Sequence, residues 1–190
     1  MRIHVVMKSR KDQGNCGKCG IELPKGSSYR WIKFRFGPKR KRCSRHECRF
    51  RGSDMTTSDK ISDLYSAQEQ IEDAMGLLQG ALQEMEPEGI ALDLDTLAET
   101  IEDSIFLVEG AADGYEESAA NLDEYFPGSA QVDMCNEKAD NCRNYQTELE
   151  SAKDTAETTA NEIRSGEWTM SQIESALDEI DNYAQSLEVY

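Results

Sequence analysis

The sequence predicts an α+β chain that is mostly α. A small N-terminal β-hairpin module is followed by an elongated antiparallel helical bundle or coiled coil. Three observations predict this. Cysteines fall in two close pairs near the start, Cys16 with Cys19 and Cys43 with Cys48. The hydrophobic period changes after Thr57 from alternation to a 3,4 repeat. Charge changes sign as well: residues 1–60 hold 17 Lys and Arg against 5 Asp and Glu, or +12, while residues 61–190 hold 4 against 32, or −28.

Composition agrees with a small stapled module joined to thin helices rather than one thick core. Hydrophobic residues are 38% of the chain, below the roughly 45–50% of an average globular domain. The charge pattern places a basic module at residues 1–52, a linker at 53–58, and an acidic bundle of three long helices and one short helix at 59–190.

Residues 3–7 are β-prone and suit an edge strand. The segment Cys16-Gly17-Lys18-Cys19-Gly20 has the form of a metal knuckle, and Leu23-Pro24-Lys25-Gly26 reads as a turn. Residues 29–36 form the strongest strand signal. Ile32, Phe34 and Phe36 alternate with Trp31, Lys33 and Arg35, which predicts one apolar face and one aromatic, cationic face. Gly37-Pro38 ends that strand, and Lys39-Arg40-Lys41-Arg42 leads into Cys43. A hairpin then returns Cys43 and Cys48 to the first pair. Residues 49–56 read as linker.

The helices follow from heptad-like spacing. Ile61, Leu64, Gln68, Ile71, Met75, Leu78, Leu82 and Met85 form the first seam, capped by Thr57 or Ser58 and ended by Pro87 and Gly89. A second helix is expected from residues 93–96, with Thr96 and Glu99 as a capping box. Its stripe is Leu97, Ile101, Ile105, Val108, Tyr115 and Leu122, and Gly110 and Gly114 suggest a kink. Phe126-Pro127-Gly128 stops it. Ser129 caps a third helix with seam Cys142, Tyr145, Leu149, Ala152, Ala156, Thr159 and Ile163, ended by Ser165-Gly166. Thr169 and Gln172 open a fourth, with Met170, Ile173, Leu177, Ile180, Ala184 and Leu187 on its seam. At about 1.5 Å per residue the first three helices would each span about 45–55 Å.

Cys-x2-Cys followed after 23 residues by Cys-x4-Cys is a metal-ligand pattern. Zinc takes four soft or borderline ligands in a tetrahedron, and a full set of protein ligands makes the site structural. Cys16, Cys19, Cys43 and Cys48 are the expected ligands, with His46 as an alternative. Cys135 and Cys142 sit seven apart on one helix face, about 10 Å along its axis, too far apart for a disulfide. They read as small buried seam residues, with a second metal site or a redox pair as the alternative.

Arg30, Lys33, Arg35, Lys39, Arg40, Lys41, Arg42 and Arg45 are interleaved with Tyr29, Trp31, Phe34 and Phe36. Cations neutralise phosphates and rings stack on bases. Nucleic acid, DNA or RNA, is therefore the expected partner of the module through these cations and Trp31. The alternatives are docking of the cluster on the chain's own acidic helices and a protein partner. The acidic helices are expected to bind a basic protein or to form a homo-oligomer.

No Gly-rich phosphate loop, serine elbow or HExxH is present, so no enzyme is expected. No apolar run reaches the roughly 20 residues of a membrane span, and residues 1–7 do not make a signal peptide. A reducing cytoplasm is the expected setting, which favours metal over disulfides.

The segment after the first pair, Ile21 through Lys25-Gly26 to Arg30, resembles the zinc finger of poly(ADP-ribose) polymerases. That family uses HxxC as its second pair. This chain has Cys43 and His46-Glu47-Cys48 there, so the resemblance carries over only to Cys16 and Cys19. The whole arrangement is similar to tailed-bacteriophage proteins without established activity: RIHVV at residues 2–6, KDQG at 11–14, SYRWIKFRFGPKR at 28–40, then SDK and LYSAQE opening the helices. That resemblance implies action in an infected bacterial cytoplasm. Three roles follow as expectations: a nucleic-acid-binding zinc-finger protein with an acidic interaction or oligomerisation domain, an inhibitor or adaptor whose acidic helices mimic nucleic acid toward a host protein, and a structural coiled-coil phage component.

Overall fold

The computed structural model describes residues 2–35, 37–82 and 86–186. The chain divides into two compact units, Met1–Thr57 and Ser58–Tyr190.

The first unit is built on a three-stranded antiparallel sheet in the order β1 (His4–Val6), β2 (Tyr29–Lys33), β3 (Lys39–Cys43). Its register places His4 and Lys41 opposite Trp31, Tyr29 opposite Cys43, and Arg42 opposite Arg30. Because side chains alternate across a sheet, Tyr29, Trp31, Lys39, Lys41 and Cys43 share one face. Arg30, Ile32, Arg40 and Arg42 share the other. The core of the first face joins Leu23, Tyr29 and three of the four paired cysteines, with Val6 and Trp31 packed against it.

The alternation expected through residue 36 stops earlier. β2 ends at Lys33, and the Gly37 N–H bonds to the Phe34 carbonyl at 3.4 Å, so Phe34 lies in the hairpin loop. Among the described residues of the strand, that face therefore carries Ile32 among arginines. Phe36 lies outside the described residues. The expected linker also has structure. Phe50 is buried, and Ser53–Met55 forms a 3-10 turn within the first unit.

The second unit holds α1 (Asp59–Ala81), α2 (Pro87–Tyr125), α3 (Ala130–Ser165) and α4 (Met170–Ala184). One hydrophobic core runs through all four. Cross-links fix antiparallel neighbours. Ser104 on α2 donates to the Ala67 carbonyl of α1 at 3.3 Å, while Lys60 reaches Ser118 at 2.6 Å. Arg143, Lys153 and Arg164 of α3 pair with Asp113, Glu102 and Asp95 of α2 in descending order. The Tyr145 hydroxyl of α3 donates to the Ala184 carbonyl of α4 at 2.8 Å.

Three helix expectations are corrected. Pro87 does not stop a helix but opens α2 at its first turn, where a missing N–H costs nothing and the fixed φ fits. Thr96 is accordingly inside α2, and its hydroxyl bonds to the Leu92 carbonyl at 3.0 Å instead of capping. α1 has 23 residues and α2 has 39, so at about 1.5 Å per residue they span about 35 and 58 Å. Gly110 and Gly114 both lie inside α2.

Ser129 stands at the α3 N-cap, but its hydroxyl accepts no capping bond. Gly166 ends α3 at φ 79°, a left-handed conformation that costs other residues free energy. Thr169 caps α4 by accepting the Gln172 N–H at 3.3 Å. The third seam is buried at every expected position from Cys142 to Ile163. Met170 is exposed and off its seam. Met85 and Leu187 lie outside the described residues.

Candidate metal centre and basic cleft

Four thiols converge in the first unit. The sulfurs of Cys16, Cys19, Cys43 and Cys48 all lie within 4.8 Å of one another, which is close enough to hold one metal ion. Local hydrogen bonds explain how the chain brings them there. The Cys16 N–H bonds to the Ile21 carbonyl at 2.8 Å and the Gly20 N–H to the Cys16 carbonyl at 3.0 Å, closing the knuckle. The Gly17 N–H bonds to the Lys41 carbonyl at 2.8 Å, and the Cys43 N–H points at Cys16 Sγ at 3.3 Å. The knuckle thus lies along the outer edge of β3. A Cβ on Gly17 would meet the Lys41 oxygen at 3.2 Å, so the close approach favours glycine. A 3-10 turn, His46–Cys48, delivers the fourth thiol.

The donor set fits a tetrahedral ion. At a metal–sulfur distance of about 2.3 Å, the edge of an S4 tetrahedron is about 3.8 Å, and the Cys19 and Cys43 sulfurs are 3.8 Å apart. Burial pushes the Cys16 thiol up, but backbone amides of Cys19, Cys43 and Lys18 outweigh it and bring its pKa to about 6. Burial and the neighbouring thiols Cys43, Cys19 and Cys16 push Cys48 up to about 12. The Cys16 thiolate forms readily while Cys43 and Cys48 resist, which is the electrostatic situation a bound cation relieves. His46 is exposed and is not part of the group.

Beside the thiols, β3 borders a cleft of about 410 Å³ lined by Gln13, Asn15, Gly17, Asp54 and the four consecutive cations Lys39, Arg40, Lys41 and Arg42. Both faces of the strand contribute because the cleft runs along its edge. The other expected binding residues do not line it. Lys33, Arg35 and Arg45 are exposed elsewhere on the unit, and Arg30 is half-buried with one buried guanidinium nitrogen lacking a hydrogen-bond partner.

The four cations differ in what already holds them. Arg42 makes a two-pronged ion pair with Asp54, donates to the Arg49 carbonyl at 2.9 Å and covers the Phe50 ring. Lys41 donates one bond to the Gln13 carbonyl at 2.6 Å. The Lys39 ammonium lies 3.6 Å from the centre of the Trp31 ring, and burial lowers its pKa, helped by Lys41 and Lys11. Arg40 covers Phe34. Trp31 also stacks on His4, with ring centres 4.0 Å apart.

Sequence reasoning missed Asp54, Phe50, His4 and Gln13. Asp54 had a readable signal, being one of only five acids in the first sixty residues. The other three become partners only through the fold.

Cys142 is buried and burial raises its thiol pKa, while Cys135 is half-buried. No helix among the described residues is long and apolar enough to cross a membrane. Comparison with protein-family models, curated proteins and solved structures gives no match to this chain.

Proposed function

We propose that the first unit is a zinc-closed module that binds nucleic acid through the β3 edge, and that it works by presentation rather than catalysis. The observation that carries this reading is the cleft along β3, where four consecutive cations border one opening beside the thiol cluster. Zinc is the metal of choice because four thiolates form a soft tetrahedral set, and zinc adds no redox chemistry. With all four positions filled by cysteine, no site remains for water or substrate. The metal's role is to hold the knuckle against β3, so that Gly17 and Cys16 fix the strand that displays the cations.

The test uses the full chain. Mass spectrometry of the purified protein should find one zinc ion per chain. Fluorescence anisotropy with labelled DNA and RNA oligomers should show binding at low salt that weakens as sodium chloride rises. Full-length protein that binds neither polymer at low salt overturns the reading.

A further inference from the structure

We propose that the β3-edge cleft reads phosphodiester backbone and not bases, so that its ligand is duplex nucleic acid taken without regard to sequence. The proposal rests on the nucleic-acid reading of this cleft. Its basis is the state of the rings around it. Sites for single strands combine cations with aromatic faces left open for bases. Among the described residues, the two rings on the β-strand itself, Tyr29 and Trp31, are already taken. Tyr29 is buried. His4, from β1, lies parallel to Trp31 within 9° at 4.0 Å, and the Lys39 ammonium, from β3, sits 3.6 Å from the same ring centre. Two groups this close to the ring centre crowd each other on a single side of the indole, and the proposal has them cover its two sides. The Arg40 guanidinium lies 5.0 Å from the centre of the Phe34 ring. Stacking a base on Trp31 would first have to displace His4 or Lys39.

Donors, by contrast, remain. A lysine ammonium has three N–H groups, and Lys41 gives one to the Gln13 carbonyl. Lys39 meets Trp31 and Tyr29 through their π faces. Arg40 makes a long bond of 3.4 Å to the Asp54 backbone oxygen. Arg42 is different: Asp54 holds its guanidinium by two prongs, and the Arg51 N–H bonds to the same carboxylate at 3.0 Å. Arg42 therefore builds the wall of the cleft and leaves Lys39, Arg40 and Lys41 to meet phosphate. Three phosphate contacts give a log–log salt slope of about −2.7 on duplex DNA and about −2.1 on a single strand.

The test takes the full-length, metal-loaded protein and three probes: a 20-base-pair DNA duplex, one of its strands, and inorganic polyphosphate as a backbone without bases. A Trp168→Phe background lets Trp31 report alone. The expected result is duplex binding at least as tight as single-strand binding, a slope near −2.7, unchanged Trp31 emission on binding, and displacement of duplex by polyphosphate. Arg40→Ala lowers the slope by about 0.9, and Arg40→Ala with Lys41→Ala by about 1.8, with melting curves confirming that the unit stays folded. Single-strand binding that is several-fold tighter and quenches Trp31 overturns the proposal but leaves the nucleic-acid reading standing. Binding of polyphosphate without binding of either DNA overturns the proposal, as does failure of all three probes to bind; the nucleic-acid reading falls with it when RNA oligomers also fail to bind.

Discussion

Arg42 and Asp54 join the edge strand to the end of the first unit by a two-pronged ion pair, with side chains only 14% and 17% exposed. Twelve residues separate them in sequence. The Asp54 carboxylate also accepts the Arg51 N–H, so it closes its own 3-10 turn while it holds β3. Removing one partner of a pair this enclosed leaves a charge with poor access to water. Asp54→Ala should lower the stability of the first unit by about 2 kcal/mol, below the 3–5 kcal/mol of a fully buried pair. Chemical unfolding followed by Trp31 fluorescence in a Trp168→Phe background measures it. An unchanged midpoint would show that the contact is dispensable.

Metal removal should unfold the first unit and leave the second folded. In small thiol-ligated modules, binding free energy is folding free energy, and the core of the first unit includes three of the proposed ligands. A strong chelator should abolish the Trp31 environment while ellipticity at 222 nm, which comes from α1 to α4, changes little. Cys19→Ser should lose the metal. His46→Ala should keep one ion per chain, because His46 stands outside the thiol group. Loss of metal from His46→Ala would instead place the imidazole among the ligands.

Much of this architecture was legible because it is periodic or spaced. Heptad-like seams located α1, α3 and α4, and every expected seam position of α3 from Cys142 to Ile163 is buried. Paired cysteines located the group that the fold brings together. Misreadings arose where one residue type serves two purposes. Proline ends helices and also begins them, and at Pro87 only the tertiary path shows that it begins α2. Thr96 and Glu99 match a capping box, but the same hydroxyl bonds equally well inside a helix. Alternation over residues 29–36 ignored the hairpin, whose paired strands end at Lys33 and resume at Lys39. The cleft was readable as charge but not as a division of labour, because the partners of Arg42 and Trp31 come from Asp54 and His4.

Added salt should stabilise the helical unit. Past residue 60 the only cations are Lys138, Arg143, Lys153 and Arg164, and all lie on α3. Three of them pair with carboxylates of α2, and Lys138 lies over the α2 ring of Tyr115. α4 has no Lys or Arg of its own, so Glu174, Asp178, Glu179 and Asp181 meet other negative charge within their own helix. Screening relieves that repulsion over about 10 Å at 0.1 M salt, while the exposed ion pairs it weakens contribute little each. The helical melting temperature should rise between 20 and 300 mM sodium chloride. A steady fall would mean that the pairs to α2 outweigh the repulsion.

Alkaline pH should unfold the helical unit through Tyr145. Burial raises the Tyr145 phenol well above its ordinary value, with Glu148 and Glu72 adding to the shift. Tyr115 moves in the same direction, chiefly through burial. A phenol that resists ionisation when folded contributes stability that is full below its unfolded pKa, about 10, and is lost as pH rises toward the folded value. Ellipticity at 222 nm should therefore hold from pH 7 to about 10 and fall above it. Tyr145→Phe removes the titrating group and its bond to the Ala184 carbonyl. It should lower stability at pH 7 by about 1 kcal/mol, yet lose less on going from pH 9 to pH 11 than the parent does. Parallel losses in parent and variant would assign alkaline unfolding to other groups.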